Sequence, residues 1–233
     1  MKTLAELTDT NDPAITLVRE WAAASPHPCE ILAPPETRDQ TLLALQVTTH
    51  SVLGAVAYET GGLLVDHGWL RLLGAGHPRL ARSLPSWNEG RAHGFYLVAD
   101  DVVGGFFALN GGGLGPDFRK VFYFAPDTLR WESTDLEFSQ FVMWAMTEKL
   151  QGYYESFRWS SWREDIKALH GDQTLFVFPP LWTKERDLEG GYREPFTAAE
   201  CWDIQMDFVA QIDGPASATE PQRHGDTEKQ FRV

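Results

Sequence analysis

Hydrophobic positions along the chain follow two rhythms, helical spacing at the ends and short extended runs in the middle. Asn11-Asp12-Pro13 predicts a helix start, with Asp12 as cap and Pro13 in the first helical position. Ile15, Val18 and Ala22 form its apolar face beside Leu17 and Trp21, and Ser25-Pro26-His27-Pro28 ends it. Residues 29–33 predict a short strand, and residues 36–47 and 49–59 two further helices. Gly61-Gly62 then releases the chain into Leu63-Leu64-Val65, and Asp66-His67-Gly68 lead into a second apolar run, 69–73. Residues 74–78 read as a loop, and 85–93 as polar and irregular.

Between positions 94 and 132 the spacing is that of strands. Phe95-Tyr96-Leu97-Val98-Ala99 is followed by a turn at Asp100-Asp101 and a return over 104–109. Asn110-Gly111 is the strongest short turn signal in the chain, because both residue types tolerate positive φ, and the glycines up to Pro116 lengthen that loop. Residues 120–124 and 129–132, separated by Ala125-Pro126-Asp127-Thr128, complete an antiparallel β-meander. Thr134-Asp135-Leu136-Glu137 then reads as a capping box opening a helix to Leu150, with Phe138, Phe141, Val142 and Ala145 on one face. Residues 153–169 are aromatic and charged and read as helical over much of their length, and 175–178 as a last strand. Thr197-Ala198-Ala199-Glu200 is a second capping box, before a helix with Trp202, Met206, Phe208 and Val209 inward. From Gly214 the composition turns to Pro, Ser, Thr, Gln and charge. The expected architecture is therefore α+β, a central antiparallel β-meander packed with helices. One globular domain would cover 1–213, with a flexible tail over 214–233.

Composition narrows the function classes. A hydrophobic fraction of 43% with 12% aromatics is ample for a packed core, so disorder of the whole chain is excluded. The net charge of −13 repels a phosphate backbone, and nucleic acid is not an expected partner. It suits a solvated surface, or a face complementary to a basic protein. Cys29 and Cys201 are far apart and in no CxxC pair, so a disulfide framework or zinc site is not expected, and both read as reduced core residues. The first residues lack an apolar signal core, and no window approaches the ~18 apolar residues of a membrane span, so a cytoplasmic protein without membrane contact is expected.

Candidate chemistry is sparse. Gly74-Ala75-Gly76 meets Arg79 where a dinucleotide fingerprint needs glycine, and the glycines after Asn110 lead into a strand rather than a helix, so neither cluster reads as a phosphate loop. Asp100-Asp101 read as turn residues, since adjacent strand residues point to opposite faces and cannot share one substrate atom. His67, His77, His93 and His170 lack the spacing of a metal motif; Asp66-His67 is the best fragment. No GxSxG elbow is present, and nothing beside Cys29 would lower its pKa. Phe157-Arg158-Trp159-Ser160-Ser161-Trp162-Arg163 could stack bases, but Glu155, Glu164 and Asp165 cancel its field, and packing of arginine stems against Trp159 and Trp162 is the simpler reading. No catalytic residue, metal site or cofactor is assigned. A pocket, if the fold assembles one, is expected near Asp66, His67, Trp69, Asp100, Asp101 and Asp127, with Trp159 and Trp162 as possible groove walls.

Glu59-Thr60-Gly61-Gly62, Gly68-Trp69-Leu70-Arg71-Leu72-Leu73-Gly74, the run from Ala99 to Ala108, Ala125-Pro126-Asp127-Thr128-Leu129-Arg130-Trp131 and Leu181-Trp182-Thr183-Lys184-Glu185 resemble the bacterial "domain of unknown function 2625" family. The resemblance extends to about Phe208. The layout of a helix pair, a glycine-bounded aromatic meander and a helix near Phe138 is more loosely similar to the SUKH superfamily. That superfamily includes bacterial immunity proteins that bind toxin domains. It implies a non-enzymatic, protein-binding module whose acidic surface meets a basic partner such as a toxin domain. The alternative is a small-molecule binder or an enzyme with an acidic and histidine site assembled by the fold.

Overall fold

The computed structural model describes residues 1–8 and 11–213; the expected tail, 214–233, lies outside them. Seven strands form one antiparallel sheet in sequence order: β1 Cys29–Leu32, β2 Gly62–Val65, β3 Leu70–Leu73, β4 Phe95–Asp101, β5 Phe106–Asn110, β6 Lys120–Ala125 and β7 Arg130–Glu137. The meander legible between 94 and 132 is thus the second half of a longer one. Helices α1 Leu4–Leu7 and α2 Ile15–Ala24 precede the sheet, α3 Arg38–Leu45 and α4 Val52–Glu59 join β1 to β2, and α5 Leu84–Asn88 lies between β3 and β4. After the sheet come α6 Phe138–Ala145, α7 Lys149–Tyr153, a 3₁₀ turn at Glu155–Phe157 and α8 Trp162–Ile166. A separate antiparallel pair, β8 Gln173–Phe178 and β9 Tyr192–Thr197, leads into α9 Ala198–Asp213.

Register assigns the two faces of the sheet. Glu30, Leu64, Arg71, Asp100, Phe106, Phe124 and Trp131 are directly opposite one another from strand to strand, so they share one face. The aromatic end of this row is covered by Trp202 of α9, whose ring lies 5.0 Å from Phe106 and 6.5 Å from Trp131. On the opposite face Phe107 packs on Phe141 of α6 at 4.8 Å, and Tyr123 meets Tyr153 at 5.6 Å. Each such buried aromatic contributes roughly 1.5–3 kcal/mol by leaving water. The other end of the row, Glu30 to Asp100, is met by Arg82 and by the segment after α8 instead, and the site described below is built there.

Asn110 explains the legible turn. Its amide donates to the carbonyls of Gly115 and Asp117, and its oxygen accepts from the amides of Gly112 and Leu114, so one buried side chain closes the loop. Other expectations shift. Asp100-Asp101 do not form the turn; both belong to β4, and the turn is made by the next residues, through Gly105. The segment 85–93, expected to be irregular, begins in α5, where Ser83 and Ser86 form a reciprocal cap. Thr134-Asp135-Leu136-Glu137 is not a helix cap but the end of β7, because the Thr134 hydroxyl donates to the Val121 carbonyl of the neighbouring strand. The cap lies three residues on, at Glu137 and Gln140, and the helix stops at Ala145 rather than Leu150. α2 begins at Ile15 with no side-chain cap, Leu17 is exposed, and so is Phe208, while the Thr197–Glu200 box caps α9 as expected. Between 153 and 169 the helical part is limited to the last residue of α7, the 3₁₀ turn and α8.

Candidate functional site

The turn from β2 to β3 holds three consecutive residues in the left-handed region: Asp66 (φ 50°), His67 (φ 63°) and Gly68 (φ 84°). For Asp and His this conformation costs about 1 kcal/mol or more each, so the surroundings must hold it. The Asp66 carboxylate is buried and accepts from Arg158 Nη2. Arg158 lies over the rings of Trp69 and Trp162, 5.0 and 4.4 Å from their centres. Trp69 is itself fully buried, 5.8 Å from Trp159 and 5.1 Å edge-on to Trp162. Burial pushes the Arg158 guanidinium below its ordinary value, against the pull of Asp66. Asp66 is therefore no solvated loop residue, and Trp159 and Trp162 form a packed wall, not an open groove.

Behind this turn Asp100 and Asp101, both 0% exposed, point to opposite faces of β4. Asp100 accepts from Arg71 Nε at 2.7 Å and from Arg82 Nη1; Arg82 Nε also donates to Asp172 at 2.8 Å. Burial would lower Arg82, but the charges of Asp100 and Asp172 outweigh it and raise the guanidinium. Burial would likewise raise Asp172, yet hydrogen bonds from Arg82 hold its carboxyl below the ordinary range. On the other face Asp101 accepts from the amides of Val103 and Gly105 and from the hydroxyls of Tyr123 and Tyr154. Its burial pushes the carboxyl up despite these donors, and burial raises both phenols well above their ordinary value. These carboxylates are committed to internal partners and none is poised over a substrate.

A cleft of about 500 Å³ opens between β1, the β2–β3 turn and the segment after α8. Pro28, Leu64, Val102, Ile166 and Leu169 give it apolar walls, and Cys29 lies in one wall with its thiol pushed up to about 12 by burial. Its fully charged lining residues are Arg71, Arg79 and Lys167 against Glu30, with His67 and His170 at the same opening. Arg71 is 1% exposed, and Nη2 donates to the Asp101 carbonyl at 3.0 Å. With Nε on Asp100, its Nη1 is left without a protein partner among the described residues, on a side chain that lines the cleft. The arrangement offers a fixed, buried cationic side chain at the same opening as two exposed cations, whose Arg79–Glu30 and Lys167–Glu164 pairs are solvated and weak.

Of the residues singled out in the sequence, Asp66, Trp69, Trp159 and Trp162 come together, His67 lines the cleft, and Asp100 anchors its basal arginine. Asp101 faces away, and Asp127 lies outside the cleft, paired with Arg186 at 3.3 Å. Arg158 was legible as an arginine packed on the tryptophans, and it lies over Trp162 at 4.4 Å. Arg71 and Arg82 went unread, although Arg71 carries a signal: a charge inside the apolar run 69–73 needs a buried partner. Among the described residues no group of three or more His, Cys, Asp or Glu is placed to hold a metal ion. No described helix is long and apolar enough to cross a membrane.

A protein of Escherichia coli K12, YbfG, itself uncharacterised, is 40% identical over 209 residues, covering 88% of this chain and 96% of its own. An uncharacterised protein of Haemophilus influenzae is 36% identical over 196 residues, covering 81% and 86%. No solved structure matches. With residues 4–201 matching the profile of the protein family of unknown function DUF2625, the chain belongs to that family.

Proposed function

We propose that this chain is a binding protein whose cleft takes a small organic anion, a carboxylate or phosphate carried on an apolar body. The observation that supports this reading is Arg71, buried, fixed by Asp100 and the Asp101 carbonyl, with Nη1 unpartnered at the cleft. A guanidinium already held in place by two internal bonds, with a third nitrogen left over for the cleft, is preorganised for a charge-assisted bond to a ligand oxygen. The cleft volume suits a metabolite-sized molecule, and its apolar walls suit the remainder of that molecule. A basic protein partner, the reading favoured by overall charge, has nothing to recommend it at this opening, where Arg71, Arg79 and Lys167 would repel it.

The test is isothermal titration of the protein with dicarboxylates, sugar phosphates and nucleoside monophosphates, beside native mass spectrometry of protein purified from cells. Saturable binding with a dissociation constant on the order of micromolar is expected. Leu64→Trp, which fills the cleft, should abolish it, and Lys167→Glu should weaken it by about tenfold. Binding that survives Leu64→Trp unchanged, or no binding by any compound together with no co-purifying molecule, would overturn the proposal.

A further inference from the structure

The pair β8–β9 carries a second feature that the cleft does not use. Phe176 and Phe178 alternate onto one face of β8, and Tyr192, Glu194 and Phe196 onto the same face of β9, with Phe178 opposite Tyr192 and Phe176 opposite Glu194. The rings are continuous: Phe178 is 6.2 Å from Tyr192 and 4.9 Å from Phe176, which is 5.0 Å from Phe196 and 5.8 Å from Trp182. Core aromatics are normally covered, yet Tyr192 is 65% exposed and Phe178 37%. Glu194 stands exposed within this aromatic face, and its carboxylate has no ion pair or side-chain hydrogen bond among the described residues.

An unpaired carboxylate framed by ring faces is the chemistry that selects an organic cation. The ring quadrupoles and the carboxylate both attract a guanidinium or ammonium group, and the exposed aromatic surface accepts its alkyl stem. We infer that this face is a docking surface for a cationic polypeptide segment, with an arginine or lysine side chain laid across Phe178 and Tyr192 and paired to Glu194. The net charge of −13 supplies long-range attraction for such a segment, and two-sided selection by ring and carboxylate supplies the local fit. This surface is built from different residues than the anion cleft and stands or falls separately.

The test uses the full chain and a fluorescein-labelled oligoarginine peptide, read by fluorescence anisotropy. Glu194→Lys and Tyr192→Ala are both at exposed positions and leave the core intact, which near-ultraviolet circular dichroism verifies for each variant. Each is expected to raise the dissociation constant by about tenfold or more. Glu20→Lys, an equal charge change on the exposed side of α2, is the control and should change it by less than about twofold at physiological salt. Equal weakening by Glu194→Lys and Glu20→Lys would reduce the interaction to bulk charge and overturn the inference, as would absence of binding. A concentration-dependent dimer in sedimentation that Tyr192→Ala dissolves would assign the face to a second copy of the chain and overturn it as well.

Discussion

Replacing Asp100 by alanine removes the one carboxylate that Arg71 and Arg82 share. Both guanidiniums stay buried: Arg71 keeps a single bond to the Asp101 carbonyl, and Arg82 keeps Asp172 and the Gly171 carbonyl. Two charge-assisted hydrogen bonds are lost, each worth about 1.5–3 kcal/mol in place, and breaking one partner of a buried ion pair costs about 3–5 kcal/mol overall. Taking ~4 kcal/mol, and about 2–4 °C per kcal/mol for a domain of this size, the melting temperature should fall by about 8–16 °C. Differential scanning calorimetry and urea denaturation measure it, with an unchanged urea slope showing that the native state keeps its compactness. The second variant, Arg71→Met with Asp100→Leu, replaces that pair by apolar groups of similar reach and should regain about half of the loss, because the Arg71 charge disappears with its partner while Arg82 still lacks its bond to Asp100. That double variant would also remove the anion donor from the cleft while sparing the fold. An Asp100→Ala protein within about 1 kcal/mol of the parent would refute the reasoning, since it would mean that the two arginines are satisfied without the carboxylate.

Two further outcomes follow from the same geometry. Because Asp172 is held below the ordinary carboxylate range, it contributes stability that is complete above its unfolded value of about 3.9 and lost as pH falls through its folded value. The stability gap between the parent and Asp172→Asn should therefore stay constant from about pH 7 to 5 and shrink progressively below about pH 4 until pH passes the lower folded value; equal stability of parent and variant at pH 7 would contradict the pairing with Arg82. Burial pushes both thiols up to about 12, so Cys29 and Cys201 should resist iodoacetamide at pH 8 in the native protein and react once it is unfolded in urea; rapid native labelling of Cys201 would contradict its burial.

What the sequence determined was local. Asn110-Gly111 fixed a turn because Asn110 can bond four backbone groups by itself, and Thr197 with Glu200 fixed a helix start because both partners lie within one turn. The strands of the meander were legible for the same reason: apolar and aromatic runs between turn residues need no distant partner to be recognised. Where local signals were ambiguous, tertiary structure decided. Thr134-Asp135-Leu136-Glu137 has the composition of a cap, yet Val121 on β6 claims the threonine and extends a strand through it. Asp100-Asp101 has the composition of a turn, yet Arg71 and Arg82 draw Asp100 into the sheet on one side while Tyr123 and Tyr154 draw Asp101 into it on the other. β9 was invisible because Tyr192–Thr197 gains its strand character only from pairing with β8. The candidate site belongs mostly to this second class, although its turn residues Asp66 and His67 were legible as candidates. Its basal donor, Arg71, is placed by a neighbour 29 residues away and its turn by Arg158, 92 residues from Asp66. Spacing along a chain carries no record of such contacts; they exist only once the sheet register brings the charges together.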